Sequence, residues 1–223
     1  MSLLDSLTPA AARTLPVILL LDTSGSMQED SKIDVLNDAV TEMIDELAEA
    51  DAGHGYITLS IVTFGGSSAK VLVEHTPVGE VEFSSLTARG KTPLGDGFRL
   101  ARAIIEDRDA LPSRAYRPTI ALVSDGLPTD RNWEEELDAL LASERGQKCT
   151  KFALAVGADA DRDMLARFSG SQPHTTDRAG EIRKFLQFVT NTVTNVTLTA
   201  LDSVQDDADT AASIVRLQGD DAF

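Results

Sequence analysis

The chain has 223 residues, and 36 acidic side chains against 20 Lys and Arg leave a formal net charge of -16. Acidity on that scale argues against a nucleic-acid or anionic-membrane binder, which would carry clustered Lys and Arg. With 42% hydrophobic and 25% charged residues, the composition is that of one sizeable globular domain; one cysteine, Cys149, excludes an internal disulfide framework and a multi-cysteine zinc site.

Strand and helix signals alternate from residue 16 to about residue 198. Pro16 to Asp22 (PVILLLD) is a short continuous apolar run ending in a carboxylate, the pattern of a buried parallel strand. Lys32 to Ala50 places Ile33, Leu36, Val40, Met43, Ile44 and Leu47 at helical spacing, with a wet face rich in Asp and Glu. Tyr56 to Phe64 is rich in β-formers and stops at Gly65-Gly66; Ala69 to His75 follows so closely that a hairpin is the natural connection. A loop from Pro77 to Lys91 leads to a helix expected to start at Pro93, a residue welcome in a first helical turn.

The second half repeats the rhythm. Thr119 to Asp125 and Lys151 to Gly157 read as core strands, Trp133 to Glu144 as a helix, Asp161 to Phe168 as a short one. Gly180 to Val193 is a longer helix with Ile182, Phe185, Leu186 and Val189 facing inward. There is no internal repeat. Strands alternating with helices imply an α/β fold: a doubly wound, mostly parallel six-stranded sheet, one antiparallel edge strand, helices on both faces. The expected division is an N-terminal extension over 1–13, the domain over 14–200 and a tail over 201–223. The tail carries six acidic residues and one Arg, and reads either as a flexible segment or as one that docks through Ile214, Val215 and Leu217. The start MSLLDSLTPAAARTLP lacks the basic and apolar regions of a signal peptide, and no run of about 18 apolar residues could span a bilayer, so a soluble protein of a reducing compartment is expected.

In such a sheet, ligands bind beyond the carboxyl ends of the strands, near the point where strand order reverses. The first strand ends in Asp22-Thr23-Ser24-Gly25-Ser26, the later one in Ser124-Asp125-Gly126, and the loop between them reads Gly90-Lys91-Thr92-Pro93. Oxygen donors without Cys or His select Mg2+, Mn2+ or Ca2+ over zinc or copper. Hydroxyls cancel little of the ion's charge, so an open position would attract a carboxylate from another molecule. Each residue also has a structural alternative: Asp22 and Asp125 as helix caps, Ser24 and Ser26 as turn residues, Thr92 as an N-cap.

Asp22-x-Ser24-x-Ser26 after an apolar strand, then Thr92, then Asp125 after another strand, resembles the metal-ion-dependent adhesion site of von Willebrand factor A domains. The resemblance covers about residues 14 to 198. The form with GKTPLGDGF before its helix looks most like the TerY-type proteins of bacterial tellurite-resistance and stress clusters. It implies direct metal binding by Ser24, Ser26 and, in an open state, Thr92, with Asp22 and Asp125 acting through water. It further implies a non-enzymatic interaction module whose partner donates an Asp or Glu, a cytoplasmic setting, and kinase or phosphatase partners encoded nearby. Lys91 stands where the family often has Gly, and its charge would weaken metal binding if it pointed inward.

Two enzymatic alternatives compete. Ser85 to Thr92 matches the phosphate-binding loop G-x-x-x-x-G-K-T except at its first Gly, where close backbone approach is needed. Phosphoryl transfer on Asp22 would want a second carboxylate two residues on, where Ser24 stands. His54, His75 and His174 read as surface or turn residues, and Cys149 as a small buried hydrophobe.

Overall fold

A computed structural model describes residues 13–52, 54 and 56–196. The expectations for residues 1–12 and for the acidic tail lie outside the described residues. Six strands form one sheet in the order β3-β2-β1-β4-β5-β6. They are β1 (Leu15–Asp22), β2 (Ile57–Gly65), β3 (Ser68–Pro77), β4 (Thr119–Ser124), β5 (Thr150–Val156) and β6 (His174–Thr176). All pairings are parallel except β2 with β3, the expected hairpin at one edge.

The helices are α1 (Lys32–Asp51), α2 (Leu94–Glu106), α3 (Trp133–Ala142), α4 (Arg162–Ser169) and α5 (181–196). Strand alternation divides the apolar residues between two cores. Val17, Leu19 and Leu21 pack with α1 and α5, whereas Ile18 and Leu20 pack with α2, α3 and α4. Every residue of β1 is buried, as its unbroken apolar run requires of a strand covered on both faces. The inward residues Ile182, Phe185, Leu186 and Val189 all sit in the α1 core. Trp133 is half-buried and packs on the α2–α4 core.

Several boundaries differ from the sequence reading for local reasons. Pro93 precedes α2 rather than opening it. Asp161 caps α4, its side chain accepting the Met164 N–H at 2.9 Å. The α3 helix stops at Ala142, because Ser143 adopts extended dihedrals and its hydroxyl donates back to the Leu140 carbonyl. β6 is three residues long; His174 opens it as an exposed surface residue, in a strand and not a turn, with its ring against Phe185 and Phe188.

The chain leaves β1 to build β2 and β3 on one side, then crosses back to β4 on the other. The order therefore reverses between β1 and β4, and their carboxyl ends form a crevice there. Asp22 closes β1 and Asp125 follows β4, so the topology brings the two acids to the same edge.

Candidate functional site

The loop after β1 is held by backbone bonds before any side chain acts. Thr23 N–H donates to the Phe64 carbonyl at 2.9 Å, Gly25 N–H to the Gly90 carbonyl at 3.0 Å, and Arg89 N–H to the Thr23 carbonyl at 2.8 Å. Gly66 N–H in turn donates to the Arg89 carbonyl at 2.7 Å. Gly90 sits at φ +69°, and a Cβ there would lie 2.6 Å from the Gly66 Cα, so no side chain fits. Further back, Asn37 on α1 clasps Leu86, donating to its carbonyl at 3.0 Å and accepting its N–H at 2.7 Å. The long irregular loop is thereby fixed, and it delivers Thr92 to the crevice. Thr92 is buried, its N–H donating to Thr129 Oγ1 at 3.1 Å and its carbonyl accepting Thr129 N–H at 2.9 Å.

All five candidate residues come together. Asp22 is fully buried; its Oδ1 accepts the Ser24 N–H at 2.8 Å and its Oδ2 the Ser124 hydroxyl at 2.7 Å. The Ser24 and Ser26 hydroxyls lie 3.0 Å apart, and Ser26 donates onward to Asp125 Oδ1 at 2.7 Å. Thr92 Oγ1 and Ser26 Oγ both face Gly126: a Cβ placed there would lie 3.7 Å from the first and 3.9 Å from the second. The capping alternative fares poorly for Thr92, since α2 is preceded by Pro93, not by Thr92, and has no side-chain cap.

Burial sets the electrostatics. Desolvation raises the Asp22 carboxyl to about 6, against the lowering effect of the Ser24 and Ser124 hydrogen bonds; the nearby Asp125 charge raises it a little further. Asp125 is also buried, and its Oδ2 is met by the Lys32 ammonium at 2.8 Å. Sequence reasoning missed Lys32 and watched Lys91, which proves to be exposed. A signal for Lys32 was available: a cation at the first position of a helix opposes the helix dipole and calls for an acid nearby. Asp30 and Ser31, both left-handed at φ 52° and 55°, turn the chain sharply just before it.

The donor set fits a hard divalent cation. Two oxygens at adjacent corners of an octahedron with bonds of about 2.1 Å are separated by roughly 3.0 Å. The Ser24 and Ser26 hydroxyls, hydrogen-bonded to each other at 3.0 Å, are spaced close to that edge, and two buried carboxylates flank them. Among the described residues there is no cluster of three or more His, Cys, Asp or Glu placed to hold an ion, so hydroxyl oxygens are essential to the set. The enzymatic alternatives find less support. The segment 85–92 does not follow a strand directly, and its Gly90 and Lys91 bridge to Gly66. Cys149 is buried, its thiol pushed up to about 11 chiefly by desolvation. His54 stacks on Tyr56, far in sequence from either serine.

Residues 17–127 match the family model of the von Willebrand factor type A domain. An uncharacterized protein of Mycobacterium tuberculosis is 28% identical over 116 residues, which are 51% of this chain and 18% of that protein. The match thus spans less than a fifth of that curated relative. Among solved structures, the open conformation of the pilus adhesin SpaC from Lactobacillus rhamnosus GG has a TM-score of 0.66 at 16% identity, covering 82% of this chain and 30% of that one. A von Willebrand factor type A protein from Catenulispora acidiphila has a TM-score of 0.63 at 17% identity, covering 82% and 43%. Proximal thread matrix protein 1 from the mussel byssus, with a zinc-occupied adhesion-site motif, has a TM-score of 0.61 at 18% identity, covering 80% and 48%. At these identities the likeness establishes the fold. No helix among the described residues is long and apolar enough to cross a membrane.

Proposed function

We propose that this chain, which carries a von Willebrand factor type A domain, is a non-enzymatic interaction module that binds a carboxylate of a partner protein through a divalent cation. Mg2+ suits the site best, and Mn2+ or Ca2+ suits the same donors. Ser24, Ser26 and Thr92 would hold the ion directly, while Asp22 and Asp125 would act through water. When bound, the ion supplies an electrophilic open position. The single observation that carries this reading is the Ser24–Ser26 hydroxyl pair, 3.0 Å apart, between two buried carboxylates at the β1–β4 crevice.

This chain's own residues do the orienting. Ser124 and the Ser24 N–H hold both oxygens of Asp22, and Ser26 turns its hydroxyl towards Asp125. Ser26 bonds to the Asp125 carboxylate and Ser24 to Ser26, and no His or Cys among the described residues bonds to either serine. The likeness of GKTPLGDGF to TerY-type proteins supports a cytoplasmic setting in a bacterial tellurite-resistance or stress complex, with kinase or phosphatase partners. Neither nucleic acid nor membrane is a partner in this reading, given the net charge of -16.

Calorimetric titration with Mg2+, Mn2+ and Ca2+ tests the site, and affinity capture in Mg2+ and in EDTA tests its use. One binding event, lost in Asp22→Ala and weakened in Ser24→Ala, is expected, with a partner retained only in the presence of metal. Identical titrations for wild type and Asp22→Ala would overturn the assignment. Turnover of ATP or a phosphate ester above an Asp125→Ala control would favour the phosphoryl-transfer alternative.

A further inference from the structure

The crevice holds a cation of its own. Lys32 Nζ lies 2.8 Å from Asp125 Oδ2 and 3.5 Å from the Ser26 carbonyl, and its side chain is only 12% exposed. On its far side is Gly157 at the end of β5, where an added Cβ would stand 3.9 Å from the ammonium. The ammonium is therefore wedged among the exits of β1, β4 and β5, at a carboxylate whose other oxygen takes the Ser26 hydroxyl. Two features mark this placement as costly in isolation. A cation opens α1, at the helix end that repels it, and two successive non-glycine residues, Asp30 and Ser31, adopt left-handed conformations to bring it there.

We propose that Lys32 is a resident counter-cation of the site: it offsets the buried Asp125 charge when no ion is bound, and it lowers the site's affinity for a divalent ion. The inference rests on the metal-site reading above. Two buried acids at one rim repel unless a positive charge lies between or beside them. Lys32 supplies one such charge from within the chain, so the ion-free fold does not depend on metal. The same ammonium, which shares the Asp125 carboxylate with the Ser26 hydroxyl, opposes a second cation in a largely buried and weakly screened setting. The site then binds its ion loosely and leaves that ion a stronger electrophile, because the surrounding protein charge is already partly cancelled.

The test uses the full chain as wild type, Lys32→Met and Lys32→Arg, with Mg2+ titrated by calorimetry and melting followed in EDTA and in saturating Mg2+. Lys32→Met should bind Mg2+ at least tenfold more tightly, melt several degrees lower in EDTA, and recover most of that loss with Mg2+. Lys32→Arg, which keeps the charge, should stay within about threefold of wild type in affinity. An affinity in Lys32→Met equal to or weaker than wild type overturns the proposal. Should Lys32→Met be unfolded in EDTA, refolding on Mg2+ addition supports the proposal, and failure to refold overturns it. If wild type binds none of Mg2+, Mn2+ and Ca2+, the metal-site reading falls and this inference with it. Wild-type binding that Lys32→Met leaves unchanged sinks only the role of Lys32.

Discussion

Ser124 donates its hydroxyl to Asp22 Oδ2 at 2.7 Å, tying the last residue of β4 to the last residue of β1 across the crevice. Both groups are fully buried, so this bond is a main support of a carboxylate that burial disfavours. Ser124→Ala should therefore cost about 1–3 kcal/mol in EDTA, the range for orphaning a buried partner. It should also weaken Mg2+ binding less than Asp22→Ala does, since Asp22 keeps the Ser24 N–H. Chemical denaturation and titration check both. A Ser124→Ala protein as stable as wild type would mean that Asp22 finds another donor.

The raised Asp22 carboxyl carries a pH signature. Its folded value of about 6 stands above the ordinary 3.8, so the ion-free folded state holds this proton more tightly than the unfolded chain does. The contribution is fully present below pH 3.8 and is lost as pH rises through about 6. In EDTA, the stability of wild type relative to Asp22→Asn should decline across that window, by at most about 1.4 kcal/mol per pH unit. Saturating Mg2+ should flatten or reverse the decline, because the ion favours the ionised carboxylate. A gap between wild type and Asp22→Asn that is constant from pH 4 to 7 in EDTA would contradict this account.

What the sequence disclosed, and what it hid, follows from the range of the interactions involved. β1 and β4 were legible because strands buried along their whole length are dominated by apolar residues, and the Asp22 and Asp125 at their ends stood out against that background. Six strands were expected, yet the sixth could not be placed: His174–Thr176 is polar, three residues long, and defined only by pairing with Leu154–Val156. Thr92 was legible by order along the chain, but its position depends on Gly66, Gly90 and Asn37, whose contacts cross long stretches of sequence. Lys32 was hidden for the same reason, since its partner Asp125 lies 93 residues away. Lys91, adjacent to Thr92, drew attention by proximity in sequence and turned outward.

Gly65 tests whether the backbone stitching behind the site matters. A Cβ there would lie 2.3 Å from the Thr23 carbonyl oxygen, which already accepts the Arg89 N–H and cannot swing aside freely. Gly65→Ala should cost about 1–3 kcal/mol as overpacking, and should displace Thr23 and with it Ser24. Mg2+ affinity is expected to fall at least tenfold. Gly79→Ala is the control, because nothing lies within 4 Å of its added Cβ. Equal behaviour of the two variants would show that the loop after β1 tolerates displacement without loss of the site.

The final prediction concerns the rim. Leu127 is 62% exposed and follows Gly126, the residue faced by the Thr92 and Ser26 hydroxyls. A single exposed Leu is ordinary, so its position beside the open edge of the site is what gives it meaning. A partner that brings a carboxylate to the ion is expected to cover Leu127, and burying it would add roughly 1.5–3 kcal/mol at most. Leu127→Ala should leave Mg2+ affinity and folding unchanged while weakening the metal-dependent complex by about tenfold, a loss within that range. Charge constrains the same partner. A chain of net charge -16 repels acidic surfaces, but that repulsion is screened beyond about 8 Å at physiological salt, whereas the ion acts at bonding distance. The partner should therefore present one Asp or Glu on an otherwise neutral or basic surface, and replacing that residue by Asn or Gln should match the effect of EDTA. A complex that survives EDTA undiminished, or that ignores Leu127→Ala while losing its metal dependence, would place the contact on the helices instead of the crevice.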